Sequence, residues 1–204
     1  VIPENSDMSL YVIDDHPLMR EAVAMLLRRY RAGADVVELN RLGGIEEAIR
    51  KHGDPELFCL DLKLPDTIGV SGIIELKKRY PKTPLAVLSA SPADEFEEQC
   101  LDAGADVYIE KSSGANEIGS ALNALLIPES TFEDSSPTDS KLSKRQKQLI
   151  IMLDRGLSNR EIADELGISE HTVKVHLWRL FRRLGVKSRT QAVHFARTHG
   201  ILGS

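Results

Sequence analysis

From Ser9 to Leu126, short apolar runs of strand length alternate with stretches whose apolar residues recur at helical spacing. The runs are Leu10–Ile13, Val36–Leu39, Leu57–Leu60, Leu85–Leu88 and Val107–Ile109, each followed by a helix-period segment. Five β/α units of this kind imply a parallel sheet with helices on both faces. Pro81 and Pro84 bracket the entry to the fourth strand, and Gly104 closes the helix before the fifth.

After Leu126 the pattern changes. Pro128 to Ser140 is rich in Ser, Thr, Pro and acid with one aromatic, the composition of a mobile linker. Beyond it four short helices are marked by their ends. Each opens with Ser and carries Gln, Glu or Thr three residues later: Ser143/Gln146, Ser158/Glu161, Ser169/Thr172 and Ser188/Gln191. The pairs ending in Gln or Glu form the capping-box pattern, and Gly156, Gly167, Gly185 and Gly200 stand where the helices should stop. The expected organisation is a domain over 8–126, a linker over 127–141 and a small all-α domain over 142–204.

The net charge of −5 conceals a division along the chain. Residues 1–126 carry 13 Lys and Arg against 22 Asp and Glu, 127–140 carry none against 4, and 141–204 carry 13 against 5. A basic module in an acidic chain points to a polyanionic partner for that module, DNA being the commonest. A helical unit this small has too few residues for an elaborate active site, so binding is the better expectation. No apolar run approaches membrane-spanning length and no signal segment opens the chain, so a cytoplasmic protein without membrane contact is expected. Cys59 and Cys100 lack metal-ligand spacing and fit reduced core thiols. Residues 1–7 precede Met8, which stands just before the first strand pattern.

Asp14 and Asp15 follow the first strand and Asp61 ends the third. With strand order 2-1-3-4-5, strands one and three are neighbours at the topological switch point, and the three carboxylates converge in one crevice. Carboxylates so placed repel unless a hard cation joins them, and Mg²⁺ suits oxygen ligands of this kind. Ser89 and Lys111, at the ends of strands four and five, fall on the same edge. A carboxylate nucleophile that accepts a phosphoryl group needs such a metal, a cation and a hydroxyl.

Asp14-Asp15-His16-Pro17-Leu18, Asp61-x-x-x-Pro65, Ser89-Ala90 and Lys111 resemble the receiver domain of the NarL/FixJ group of response regulators, from Met8 to Leu126. The resemblance implies a flavodoxin-like, doubly wound (βα)5 fold with Asp61 as phosphoacceptor. It assigns Asp14, Asp15, Asp61 and the Lys63 carbonyl to Mg²⁺, and Ser89, Tyr108 and Lys111 to the switch. Ile68 departs from the acidic residue or Asn usual before Gly69.

Leu142-Ser-Lys-Arg-Gln-Lys-Gln, Gly156-Leu-Ser-Asn-Arg-Glu-Ile-Ala163, Ile168-Ser-Glu-His-Thr-Val-Lys-Val-His176 and Leu184-Gly-Val-Lys-Ser-Arg189 resemble the LuxR-type helix-turn-helix over its whole length. Gln146 stands where that family usually has Glu. Wound at about 100° per residue, the third helix gathers Val173, Leu177, Leu180 and Leu184 into a stripe that faces the other helices. His171, Lys174, Val175, Trp178 and Arg182 fall opposite. Lys174 is suited to guanine acceptors and Val175 or Trp178 to a thymine methyl, whereas Thr172, Arg182 and Arg189 are suited to phosphates.

These features together describe a non-enzymatic transcription regulator. A sensor histidine kinase would phosphorylate Asp61, and phosphorylation would promote a homodimer that binds double-stranded promoter DNA, with RNA polymerase a further candidate partner. Two other functions remain open on the sequence. A domain binding an acyl-homoserine lactone would need an aromatic-lined pocket, and only 5% of the residues are aromatic. A carboxylate–Mg²⁺ phosphatase would turn over a phosphate monoester repeatedly but leaves the helix-turn-helix without a purpose.

Overall fold

The computed structural model describes residues 8–127 and 142–202. The expected linker, apart from Ile127, and the segment 1–7 lie outside the described residues. Chain contacts divide the protein into two units, Val1–Leu126 and Ile127–Ser204.

The first unit is a five-stranded parallel sheet: β1 (Met8–Ile13), β2 (Asp35–Leu39), β3 (Asp54–Asp61), β4 (Leu85–Ser89) and β5 (Val107–Glu110), in the order β2-β1-β3-β4-β5. The helices between and after them are α1 (Pro17–Tyr30), α2 (Ile45–His52), α3 (Ser71–Arg79), α4 (Ala93–Asp102) and α5 (Ala115–Leu126). Successive strand residues point to opposite faces. Tyr11, Ile13, Phe58, Leu60, Val87 and Tyr108 share one buried cluster with Ile45 and Ala48 of α2, Ile73 and Leu76 of α3 and Cys100 of α4. The alternate residues Leu10, Val12, Leu57, Cys59 and Leu88 are equally buried and face the other way. Each such side chain contributes about 1.5–3 kcal/mol on leaving water, so the central strands are the most firmly held part of the unit.

β3 is longer than its apolar run suggests. It begins at Asp54, and its pairing with β1 passes from Ser9–Pro55 to Leu10–Leu57, skipping Glu56. Pro55 has no N–H for the ladder, and the bulge beside it absorbs the irregularity. The entry to β4 is fixed by Asp106, whose Oδ2 accepts from the Leu85 N–H at 2.9 Å and from Lys77 Nζ at 2.7 Å. Gly104, at φ 112°, packs against the Lys77 stem, so both its backbone angle and its missing side chain are used.

The second unit comprises α6 (Lys144–Asp154), α7 (Asn159–Leu166), α8 (Glu170–Leu184) and α9 (Arg189–Thr198). Ser143, Ser158, Ser169 and Ser188 each accept a backbone N–H three residues on. The reciprocal bond closes the box at α6 and α7. At α9 it does not: Gln191 Oε1 accepts from Lys187 N–H at 2.8 Å, one residue before the cap. Gly156, Gly167, Gly185 and Gly200 all take positive φ at the helix ends. Val173, Leu177 and Leu180 of α8 join Leu149, Ile150, Leu153, Ile162, Ala192 and Ala196 in one core, with Leu184 packed against it. No helix among the described residues is long and apolar enough to cross a membrane.

Candidate functional site

The carboxyl ends of β1 and β3, adjacent in the sheet, place Asp14 directly after Ile13 and Asp61 at the strand terminus. Both are buried. Asp14 is held by its own N–H, which donates to Leu39 O at 3.0 Å, and its Oδ1 accepts the His16 N–H at 2.9 Å. Asp61 Oδ1 accepts the Lys63 N–H at 3.1 Å. From the end of β5, Lys111 Nζ reaches 2.7 Å from Asp61 Oδ2 and 2.8 Å from Asp14 Oδ2. The Lys111 backbone is tied to β4 by its N–H to Ser89 O at 2.7 Å.

Burial raises the Asp61 pKa above the ordinary carboxylate value; the Lys111 ammonium and the Lys63 N–H oppose the rise, and Asp14 adds to it. Asp14 Oδ2 is buried and accepts no hydrogen bond, because the nearby Lys111 Nζ is within ion-pair distance but off the hydrogen-bond direction. Asp15 is exposed beside them. Among the described residues, Asp14, Asp15, His16 and Asp61 each offer a ligand atom within 4.8 Å of the others. Three carboxylates converging at one sheet edge fit a small divalent cation with oxygen ligands.

Ser89 is fully buried, its Oγ accepting from the Ser91 N–H at 3.1 Å. Tyr108, also buried, donates its hydroxyl to Ser91 O at 2.8 Å. Burial raises its pKa, with the Ser89 hydroxyl opposing. Ser89 and Tyr108 therefore meet on one short loop, Ala90 to Pro92, between β4 and α4. Sequence reasoning missed two residues here. Glu110 Oε1 caps α4 through the Ala93 N–H at 2.8 Å, because Pro92 at the cap has no side-chain bond to give. Asp66 accepts from the Leu42 N–H at 3.1 Å and the Gly43 N–H at 2.7 Å, anchoring the loop in which Ile68 stands exposed. Neither partner was legible, because the two act across 17 and 24 residues.

On α8 the predicted residues separate. Arg182 is exposed and stacks over Trp178, its guanidinium carbon 4.6 Å from the ring centroid. Trp178, Lys174 and His171 are half-buried. Val175 lies almost opposite the apolar stripe and is 0% exposed. Thr172 is buried too, its hydroxyl 2.8 Å from the Ser169 hydroxyl at the cap. Arg189, expected to hold phosphate, donates instead to the Leu157 carbonyl and keeps a buried Nε without a hydrogen bond. That contact ties α9 to the turn before α7.

A doubly wound sheet with a lysine-bridged carboxylate pair at its switch point, followed by a capped helix-turn-helix, defines a signal-receiving module joined to a DNA-binding one. The model described as "Response regulator receiver domain" matches residues 10–123, and that of "Bacterial regulatory proteins, luxR family" matches 140–196. The chain belongs to the response regulators of two-component systems, in the NarL/FixJ group with a LuxR-type DNA-binding domain. It is 28% identical to the glycerol metabolism activator of Pseudomonas putida, over 90% of this chain and 92% of that one. It is 29% identical to the response regulator VraR of Staphylococcus aureus, over 93% and 96%. The fold is similar to that of RcsB from Salmonella typhimurium, with a TM-score of 0.52 at 21% identity over 94% of this chain and 98% of that one. A structure of RcsB from Salmonella enterica serovar Typhimurium, bound to promoter rprA in the presence of a phosphomimetic, gives 0.51 at 20% identity over 93% and 99%.

Proposed function

We propose that Asp61 accepts a phosphoryl group from a sensor histidine kinase and that this controls dimerisation and sequence-specific promoter binding by the LuxR-type module. The observation that carries this reading is the buried Asp61–Lys111–Asp14 cluster at the switch point. An Asp61 carboxylate oxygen attacks phosphorus, the bond from phosphorus to the donor nitrogen breaks, and an acyl phosphate forms. Mg²⁺, held by Asp14, Asp15, Asp61 and the Lys63 carbonyl, would neutralise phosphoryl oxygens. Lys111 exchanges its bond to the Asp61 carboxylate for one to the phosphoryl group. The Ser89 hydroxyl turns from the Ser91 N–H to the same group. Because Tyr108 is bonded to Ser91 O, the loop after β4 carries that change to β5 and α4.

In the DNA module, Lys174, Trp178 and Val175 read bases while Arg182 and His171 supply phosphate affinity; Thr172 and Arg189 are left out of the contact set because they are bonded to Ser169 and Leu157. Two modules on a repeated half-site gain affinity without new contacts, which is the reason to dimerise. The complex reported for RcsB is the precedent for promoter binding. The test is intact-mass analysis after incubation with acetyl phosphate and Mg²⁺. A single phosphoryl adduct is expected, absent in Asp61→Asn; an adduct that persists in the variant sinks the assignment.

A further inference from the structure

Glu110 has a bonding pattern that the phosphoacceptor chemistry does not use. It is half-buried at the end of β5, where it pairs in register with Ser89 of β4. Tyr108 and Glu110 stand two residues apart and so share one face of the strand, the face on which Tyr108 clusters with Cys100 of α4. Both hold the connection between β4 and α4. The Tyr108 hydroxyl donates to Ser91 O at 2.8 Å, and Glu110 Oε1 accepts the N–H of Ala93, the first residue of α4, at 2.8 Å. Glu110 Oε2 accepts from the hydroxyl of Ser112, one residue beyond Lys111, at 3.2 Å. One carboxylate thus bridges the loop after Lys111 to the start of α4. A negative charge is favoured at that end of a helix, and Pro92 offers no side-chain cap of its own.

Resting on the phosphoacceptor reading of Asp61 proposed above, we propose that Glu110 is a positioning residue that holds the start of α4 in its unphosphorylated place and so sets how strongly the receiver resists activation. When Ser89 turns to the phosphoryl group, the Ser91 N–H loses its acceptor. Ser91 is buried, and a buried N–H left unbonded is costly, so the loop shifts until that group is satisfied. Ala93 lies two residues on and moves with it. Glu110 stays, because β5 is fixed to β4 by their ladder and by the Lys111 N–H to Ser89 O at 2.7 Å. The Glu110–Ala93 bond therefore belongs to the resting arrangement and is given up on phosphorylation. Its contribution opposes the shift that Ser89 and Lys111 generate. The alternative is a plain helix cap that stays bonded in both states, which would add stability and leave the response to a phosphoryl group unchanged.

The experiment is calorimetric titration of the full chain with beryllofluoride, a phosphoryl mimic, in saturating Mg²⁺, for the wild type, Glu110→Ala, Glu110→Gln and Ser112→Ala. Hydrogen exchange of the peptide covering residues 90–96 is followed with and without the mimic. Glu110→Ala should bind beryllofluoride about three- to ten-fold more tightly than the wild type, the scale of one net hydrogen bond. Glu110→Gln keeps an oxygen for the Ala93 N–H and should return most of the way to the wild-type affinity. Ser112→Ala frees one carboxylate oxygen and should tighten binding by a smaller factor. In the wild type the mimic should speed exchange of the peptide, whereas in Glu110→Ala exchange should already be fast and change little. An affinity in Glu110→Ala equal to or weaker than that of the wild type, whatever its melting temperature, would overturn the role. So would a peptide that exchanges no faster when the wild type binds the mimic. If the wild type binds beryllofluoride and forms the Asp61 adduct alongside either result, only Glu110's role fails; if it does neither, the phosphoacceptor reading fails as well.

Discussion

Replacing Lys111 with Met tests the electrostatics at the switch point. The Lys111 side chain is only 10% exposed, and its ammonium lies 2.7 Å from Asp61 and 2.8 Å from Asp14. Each contact amounts to about 6 kcal/mol of Coulomb attraction at an effective dielectric of about 20, much of it offset by desolvating the ammonium. Removing one partner of a buried pair costs about 3–5 kcal/mol. Here the loss has a ceiling, because Asp61 already carries a raised pKa and can take a proton once Lys111 is gone. For a carboxyl with an ordinary value of 3.8, protonation costs about 4 kcal/mol at pH 7 and about 1.6 kcal/mol at pH 5. The native state of the variant then binds a proton that the unfolded state does not, so its stability rises as pH falls toward the ordinary value. The variant should therefore be about 3–4 kcal/mol less stable than wild type at pH 7 and under about 2 kcal/mol less stable at pH 5. Adding Asp61→Asn should recover much of the neutral-pH loss. All four tyrosines lie in the first unit and the single tryptophan in the second, so urea unfolding followed by tyrosine near-UV dichroism isolates the first unit from tryptophan fluorescence of the second. A loss below about 1 kcal/mol at pH 7, or one that does not change with pH, would refute the reasoning.

A Cβ at Gly119 of α5 would lie 2.6 Å from the Tyr30 ring, so Gly119→Ala should cost about 1 kcal/mol net in the same tyrosine signal, yet stabilise by about 0.5–1 kcal/mol in a Tyr30→Ala background. Burial, with Arg145 and Arg179 alongside, lowers His176 to about 4 from 6.5, so its contribution is intact above pH 6.5 and is lost as pH falls toward 4. Tryptophan-monitored stability should drop by up to about 3 kcal/mol over that window, and His176→Gln should flatten the slope. Trp178→Ala in the full chain should weaken a specific duplex by about 1–3 kcal/mol more than a scrambled one, measured by fluorescence anisotropy of labelled DNA at several salt concentrations. Equal losses on both duplexes would remove Trp178 from base reading.

What the sequence determined by itself is what local rules control. Alternation of apolar runs with helical stretches led to the parallel doubly wound sheet, and the Ser and Gly signals at helix ends marked all four C-terminal helices, because a cap is satisfied within three or four residues. Asp14 and Asp61 were legible as partners once strands one and three were neighbours. The tertiary structure decided everything that depends on distant contacts. Lys111 bonds a carboxylate 50 residues away, and Glu110 caps a helix that begins 17 residues before it. His16, an ordinary residue before a proline in the chain, enters the acidic cluster because the end of β1 and the first turn of α1 aim it there. Val175 fits the exposed side of a wheel and is buried, and Arg189 fits a phosphate contact and is bonded to Leu157. A helical wheel records one helix's own periodicity, whereas burial is set by whatever packs against it, and that is a property of the folded chain.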